Sequence, residues 1–162
     1  MMRESFDLVW RVLRRLGVPA VAAEDAAQEV FLVAARRIDE IAPGSEQSYL
    51  YGTALRVAQA FRRRDARDAA RRAEYDDERS PGARTPEELL DTRERLEILD
   101  AALARLEDDE RSVFVLFELE GLTLTEIAEL TGSPRGTVAS RLRRARSRFV
   151  RALRARKRGK DG

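Results

Sequence analysis

Between Thr123 and Leu142 the chain is punctuated as two short helices joined by a tight turn, and few folds accommodate that pattern. Thr123 and Glu126 fit a capping box, which starts a helix. Gly132 suits a left-handed helix stop. Ser133 can cap the next helix, with Pro134 at the first helical position, where proline is tolerated best. Ile127, Ala128, Leu130, Val138 and Leu142 supply the apolar positions that lock the pair together. This is the layout of a helix-turn-helix, whose second helix enters the major groove of DNA. A capped pair with an apolar seam also occurs in ordinary helical bundles, so a second signal is needed.

Charge supplies it. Residues 134–162 hold twelve Lys or Arg and one acid, Asp161, a net of +11. Residues 1–133 hold nineteen basic and twenty-eight acidic residues, a net of −9. Such asymmetry within one chain points to a polyanionic partner for the basic part. Ala128 and Gly132 are also small where the helices must approach closely. Motif and charge together favour DNA.

The rest of the composition narrows the class. A length of 162 residues allows one ordinary domain or two small ones. The chain is rich in Ala, Leu, Arg and Glu and poor in Gly, Pro and aromatics, which predicts an all-α fold. It has no Cys and no His, which excludes disulfides, Cys/His zinc sites and imidazole-dependent catalytic triads. No catalytic residue, metal site or cofactor is expected. No apolar run approaches membrane-spanning length and the N-terminus lacks a signal-peptide core, so a soluble cytoplasmic protein is expected.

Periodicity predicts three helices in the first part. Residues 5–16 place Phe6, Val9, Trp10, Leu13 and Leu16 on one face, before Gly17 and Pro19. Residues 20–41 do the same with Ala23, Ala27, Val30, Phe31, Ala34 and Ile38, before Pro43 and Gly44. Residues 45–64 put Tyr49, Leu50, Ala54, Val57 and Phe61 inward. From 65 to 86 large apolar residues almost vanish and charge alternates, the pattern of a flexible charged linker. Thr85 and Pro86 then open a new helix with a stripe of Leu89, Leu96, Leu99, Leu103 and Leu106. Residues 107–120 form another, with Val113, Leu116 and Phe117 inward and Gly121 as its stop. The reading is two small helical domains: a three-helix domain at 1–64, a linker at 65–86, a helix-turn-helix domain at 87–156 and a basic tail at 157–162.

Three groups of residues are candidates for function. On the second helix of the motif, Arg135, Gly136, Thr137, Ser140, Arg141 and Arg144 are placed to meet DNA. Arg135 and Arg141 suit guanine edges, while Arg143, Arg146 and Arg148 suit phosphates or a solvated face. Asp25, Gln28 and Glu29 share one exposed helix face, which serves solubility and dipole capping or docks a basic partner. Tyr49, Tyr51, Arg56 and Arg62 to Arg64 interleave aromatics with cations, which suits single-stranded nucleic acid or a core tyrosine among solvated arginines.

These pieces in this order resemble one family. The runs Ala23–Leu32, Ser48–Ala54, Leu106–Phe114 and Gly136–Leu142, with the linker between them, are similar to extracytoplasmic-function (ECF) sigma factors of bacterial RNA polymerase. The resemblance spans roughly residues 6 to 149. It implies a first domain that binds the polymerase clamp and melts and reads the −10 element, and a second that reads the −35 element and touches the polymerase flap. Asp25, Gln28 and Glu29 would then dock the clamp. Tyr49, Arg56, Arg62 and Arg63 would lie near the melted −10 strand. Arg135, Gly136, Thr137, Ser140, Arg141 and Arg144 would face the −35 duplex. Core RNA polymerase and promoter DNA are the implied partners, with an anti-sigma factor as a further candidate and no membrane insertion. The acidic stretch Glu74 to Glu78 would run through the polymerase channel as a mimic of nucleic acid. The chain departs from the family's usual pattern at Tyr49, Gly52, Leu55, Arg56 and Ala60, which implies a changed −10 preference, and its first helix starts later than usual.

The rival reading is a self-sufficient helix-turn-helix regulator whose first domain dimerises; an enzyme finds no support in the residues present. Light scattering separates the two binding readings. The sigma-factor reading expects a monomer in isolation, and a stable dimer with a palindromic site would favour the regulator.

Overall fold

The computed structural model describes residues 2–72 and 87–162. Seven α-helices run through them: α1 (Met2–Arg15), α2 (Ala20–Arg36), α3 (Glu46–Arg72), α4 (Glu87–Leu103), α5 (Asp108–Phe114), α6 (Leu124–Thr131) and α7 (Arg135–Asp161). There is no strand among the described residues. The fold is all-α, with α1–α3 packed on one another and α4, α5 and α6 packed against α7.

In α1 the inward stripe is Val9, Val12, Leu13 and Leu16, all buried. Trp10, expected inward, sits at the edge of that stripe and stays 38% exposed. The helix ends in a Schellman motif. Gly17 has φ +105°. Its N–H donates to Arg14 O at 3.1 Å and the Val18 N–H donates to Leu13 O at 3.0 Å. Helix α2 buries Ala23, Ala27, Val30 and Ala34. It stops at Arg36 and gives way to a 3₁₀ turn over Ile38–Glu40 that leaves Ile38 exposed, short of the helix to Ile41 that periodicity predicts. Phe31 stacks on Phe6 at 5.9 Å and fixes α2 against α1.

Helix α3 corrects two expectations. Its buried face is Tyr51, Ala54, Leu55 and Ala58, so Tyr51 is the core tyrosine and Tyr49 is half-buried at the rim. The helix also continues through Asp65 to Arg72, into the stretch read as linker. Ala66, Ala69, Ala70 and the arginines among them are strong helix formers that extend a helix already nucleated by its packed half. Residues 73–86, with the acidic stretch Glu74 to Glu78 and the Thr85–Pro86 helix start, lie outside the described residues, as does the Leu89 side chain.

In the second half Leu103 and Leu106 are buried, but Leu96 is exposed. Helix α5 passes into a π-helical turn over Val115–Leu119, in which Val115 and Leu116 are buried. Gly121, at φ +75°, ends it. The helix-turn-helix forms as the punctuation predicts. Glu126 N–H donates to Thr123 Oγ1 at 3.1 Å, and Thr123 N–H donates to Glu126 Oε2 at 2.7 Å. Gly132 closes α6 at φ +64°. Ser133 does not cap α7: no side chain caps that helix, and the Ser133 hydroxyl accepts from Arg141 Nη1 at 2.9 Å instead. Ile127, Val138, Leu142 and Ala145 are buried in the seam. Their apolar cluster is continuous with the core of α1–α3.

Two substitutions separate packing from backbone strain. Ile127→Ala empties a fully buried site and is expected to lower unfolding free energy by about 2–5 kcal/mol. A Cβ at Gly132 meets nothing within 4 Å, so Gly132→Ala is expected to lose only the left-handed strain, about 1–2 kcal/mol. Urea midpoints at unchanged m-value measure both.

Candidate nucleic-acid interface

Helix α7 presents two kinds of arginine. Val138, Leu142 and Ala145 face the core, which turns Arg135, Gly136, Ala139, Arg143 and Arg144 to solvent. Arg135 and Arg143 have no ion pair among the described residues, and space beside Gly136 is open. Thr137 is half-buried, and the Ser140 hydroxyl donates to Gly136 O at 3.1 Å. Three others, Arg141, Arg144 and Arg148, are held by acids at the start of α5. Arg141 donates to Ser133 and lies 3.3 Å from Asp109. With its side chain 23% exposed, it braces the turn of the motif rather than projecting from it. Arg144 lies 3.4 Å from Glu110. Arg148 lies 2.7 Å from Glu107 and 3.2 Å from Glu110, whose carboxylate is buried. The hydrogen bond from Arg148 pulls the Glu107 carboxyl below its ordinary value. Arg146 pairs with Glu118 and lies over the Phe117 ring.

On the first half, Asp25, Gln28 and Glu29 are exposed on α2. Tyr49 and Arg56 line a cleft of about 270 Å³ with Ile41, Ser48, Gly52 and Leu130. Arg63 is exposed. Arg62 departs from the expected cationic end of α3. It turns inward, 14% exposed, donating Nη1 to Leu16 O at 3.0 Å and lying 3.2 Å from Asp108. Phase explains it: Ala58 is buried one turn earlier, which points position 62 at the same face.

That inward arginine belongs to a polar junction between the two halves that periodicity does not reveal. Arg111 Nε donates to Arg15 O at 2.7 Å. Arg14 lies 3.5 Å from Asp100. Glu120, its side chain only 3% exposed, accepts from Arg15 Nη1 at 2.9 Å and from Tyr51 Oη at 3.2 Å, with Arg11 at 3.7 Å. Burial, then the nearby Glu120 charge, raises the Tyr51 hydroxyl. Burial and the neighbouring Arg62 guanidinium lower Arg111 to about 10. Nothing in the sequence marks Glu120 except its place just before the Gly121 stop.

Residues 1–68 match the family described as Sigma-70 region 2, and residues 96–149 match Sigma-70, region 4. The chain is 33% identical over 138 residues to the ECF RNA polymerase sigma-E factor of Escherichia coli (strain K12), covering 80% of this chain and 72% of that one. The chain belongs to the ECF sigma factors. It is also 30% identical over 150 residues to the ECF RNA polymerase sigma factor SigE of Mycolicibacterium smegmatis, spanning 92% of its own length but 58% of the relative's. Among solved structures, the fold matches the sigma factor RpoE of Bartonella quintana, solved with the anti-sigma factor NepR. The TM-score is 0.72, at 22% identity over 94% of both chains. It also matches CnrH, solved with the cytosolic domain of CnrY, with a TM-score of 0.65 at 20% identity over 91% of this chain and 80% of that one. Region 2 thus falls on α1–α3, and region 4 runs from within α4 into α7. No helix among the described residues is long and apolar enough to cross a membrane.

The acid brace of this sigma factor has a pH signature. Glu94 and Glu107 are both held below the ordinary carboxylate value of 4.5, by Lys160 and Arg148 respectively. A depressed acid stabilises the fold above its unfolded pKa and loses that contribution as pH falls through the folded one. Thermal midpoints should therefore fall as pH drops below about 4.5, and Glu107→Gln should make that acid limb shallower.

Proposed function

We propose that this sigma factor binds core RNA polymerase and directs it to promoters, reading the −35 element with α7 and the −10 element with the α3 face. The carrying observation is the divided surface of α7. Arg135, Gly136 and Arg143 stand free on the side opposite the buried Val138, Leu142 and Ala145. A helix held by one face and cationic on the other is built to lie in a major groove. Arg135 is the base reader of this set. Thr137, Ser140 and Arg144 flank it, and Arg141 fixes the angle of the helix. Tyr49, Arg56 and Arg63 offer stacking and phosphate contacts to an opened −10 strand. Asp25, Gln28 and Glu29 form a polar face of α2 for the polymerase clamp.

The protein does no covalent chemistry in this account. It acts in the cytoplasm, where core polymerase is, and an anti-sigma factor is a candidate partner. Two weak DNA contacts gain effective concentration when the polymerase holds both halves at the promoter spacing. Capture of unstacked bases then drives strand opening.

Run-off transcription with core polymerase on a promoter library tests the reading. Specific initiation should require the polymerase. Arg135→Ala should relax the preference at one −35 position by about 1–3 kcal/mol. Arg141→Ala should weaken all −35 sequences alike. Promoter-selective footprints by the free protein at physiological salt would sink the proposal.

A further inference from the structure

The cleft beside Tyr49 and Arg56 is closed on one side by the chain's own second half. Leu130, from α6 of the helix-turn-helix, reaches across to Gly52 on α3. A Cβ on Gly52 would stand 3.2 Å from Leu130 Cδ2 and 3.8 Å from Arg56 Nη2. So the bare backbone at Gly52 is the seat for Leu130, directly beside the arginine assigned to the opened strand. Leu130 was expected to lock α6 to α7. It is half-buried, and its far end serves the other half of the molecule.

The carboxylate of Glu120 holds this contact shut. It leaves the π-helical turn of the second half and takes Arg15, Arg11 and Tyr51 from the first. Tyr51 lies two residues from Tyr49 and one from Gly52, so the bond to Glu120 and the seat of Leu130 share one turn of α3. Arg62, held within its own half by Leu16 O, is tied across the junction only by Asp108.

We propose that α6 and an opened DNA strand are mutually exclusive occupants of the cleft on α3, with Glu120 as the clasp that favours α6. The inference rests on the −10 reading of that cleft. Two features make the clasp one that can release. The junction is polar and charged, the character of interfaces between domains that move. It also buries Arg62 Nε and Nη2 without a protein partner and crowds Arg62 beside Arg111, so closure carries a desolvation penalty that an outside ligand can exploit. Release would return the cleft to the DNA-facing side. Apparent affinity for the strand is reduced by the fraction of molecules that are closed.

The test opens the clasp from either side. Glu120→Gln keeps the shape and removes the charge; Arg15→Gln does so from α1. Neither residue is assigned to DNA. The chain has no cysteine, so dyes on Val21→Cys and Ser147→Cys, both exposed, report the separation of the halves. The ligand is a fluorescent random-sequence single strand, with a random duplex as control. Both variants should lower energy transfer and tighten single-strand binding by about tenfold, while duplex binding through α7 stays unchanged. Unchanged transfer in both variants overturns the proposal. So does a fall in transfer without tighter strand binding. If strand binding tightens but does not respond to Arg56→Ala, the −10 reading fails and takes the competition with it. The transfer change would then stand as a record of the contact alone.

Discussion

The carbonyls at the end of α1 hold the molecule together. A helix leaves its last carbonyls without partners and gathers partial negative charge there. In this protein three guanidiniums bind carbonyls at and just beyond that end. Arg14 Nη1 donates to Val18 O at 2.9 Å, Arg62 Nη1 to Leu16 O, and Arg111 Nε to Arg15 O. One comes from α1 itself, one from α3 and one from α5, so a single helix end joins both halves. Gly17 makes this work twice over. Its positive φ turns the chain, and its missing side chain leaves room for Arg111, whose Nη1 would stand 3.1 Å from a Cβ. Any other residue would strain the turn and press on the bridge.

Such a junction is rich in hydrogen bonds and ion pairs but carries a desolvation cost. Its arginines are partly desolvated and lie close to one another, and Asp100, Asp108 and Glu120 offset only part of that repulsion. The apolar cluster that runs through it adds area, but few large side chains cross from one half to the other. The seams within each half differ from it: there Leu13, Leu16, Leu116 and Ile127 are wholly buried.

The acids of the second half are placed by the same economy of charge. Glu107, Asp109 and Glu110 open α5, where the helix dipole favours them. From there they hold Arg148, Arg141 and Arg144. That restraint sorts one arginine-rich helix into a braced side and a free side. The free side carries Arg135 and Arg143, exposed and without an ion pair among the described residues. The braced side sets the angle at which that charge is offered.

The sequence by itself determined whatever depends on neighbours along the chain. The Thr123–Glu126 box, the stops at Gly17, Gly121 and Gly132, and the buried Val138 and Leu142 were all legible, because capping, left-handed turns and helical periodicity act within one or two turns. So was the basic character of the last helix, and with it the family and the two-part helical fold. Small errors of phase had local causes: Tyr51 replaces Tyr49 in the core because periodicity fixes a stripe but not its centre, and α3 outran its apolar face on alanine propensity. What only the tertiary structure decided was the fate of individual charges. Arg62 and Arg141 read in sequence as DNA-facing, and Arg111 and Glu120 carry no signal there, yet each is committed to a partner on another helix. A charge's role is set by what lies across from it in space, and no pattern along a chain of this kind encodes that.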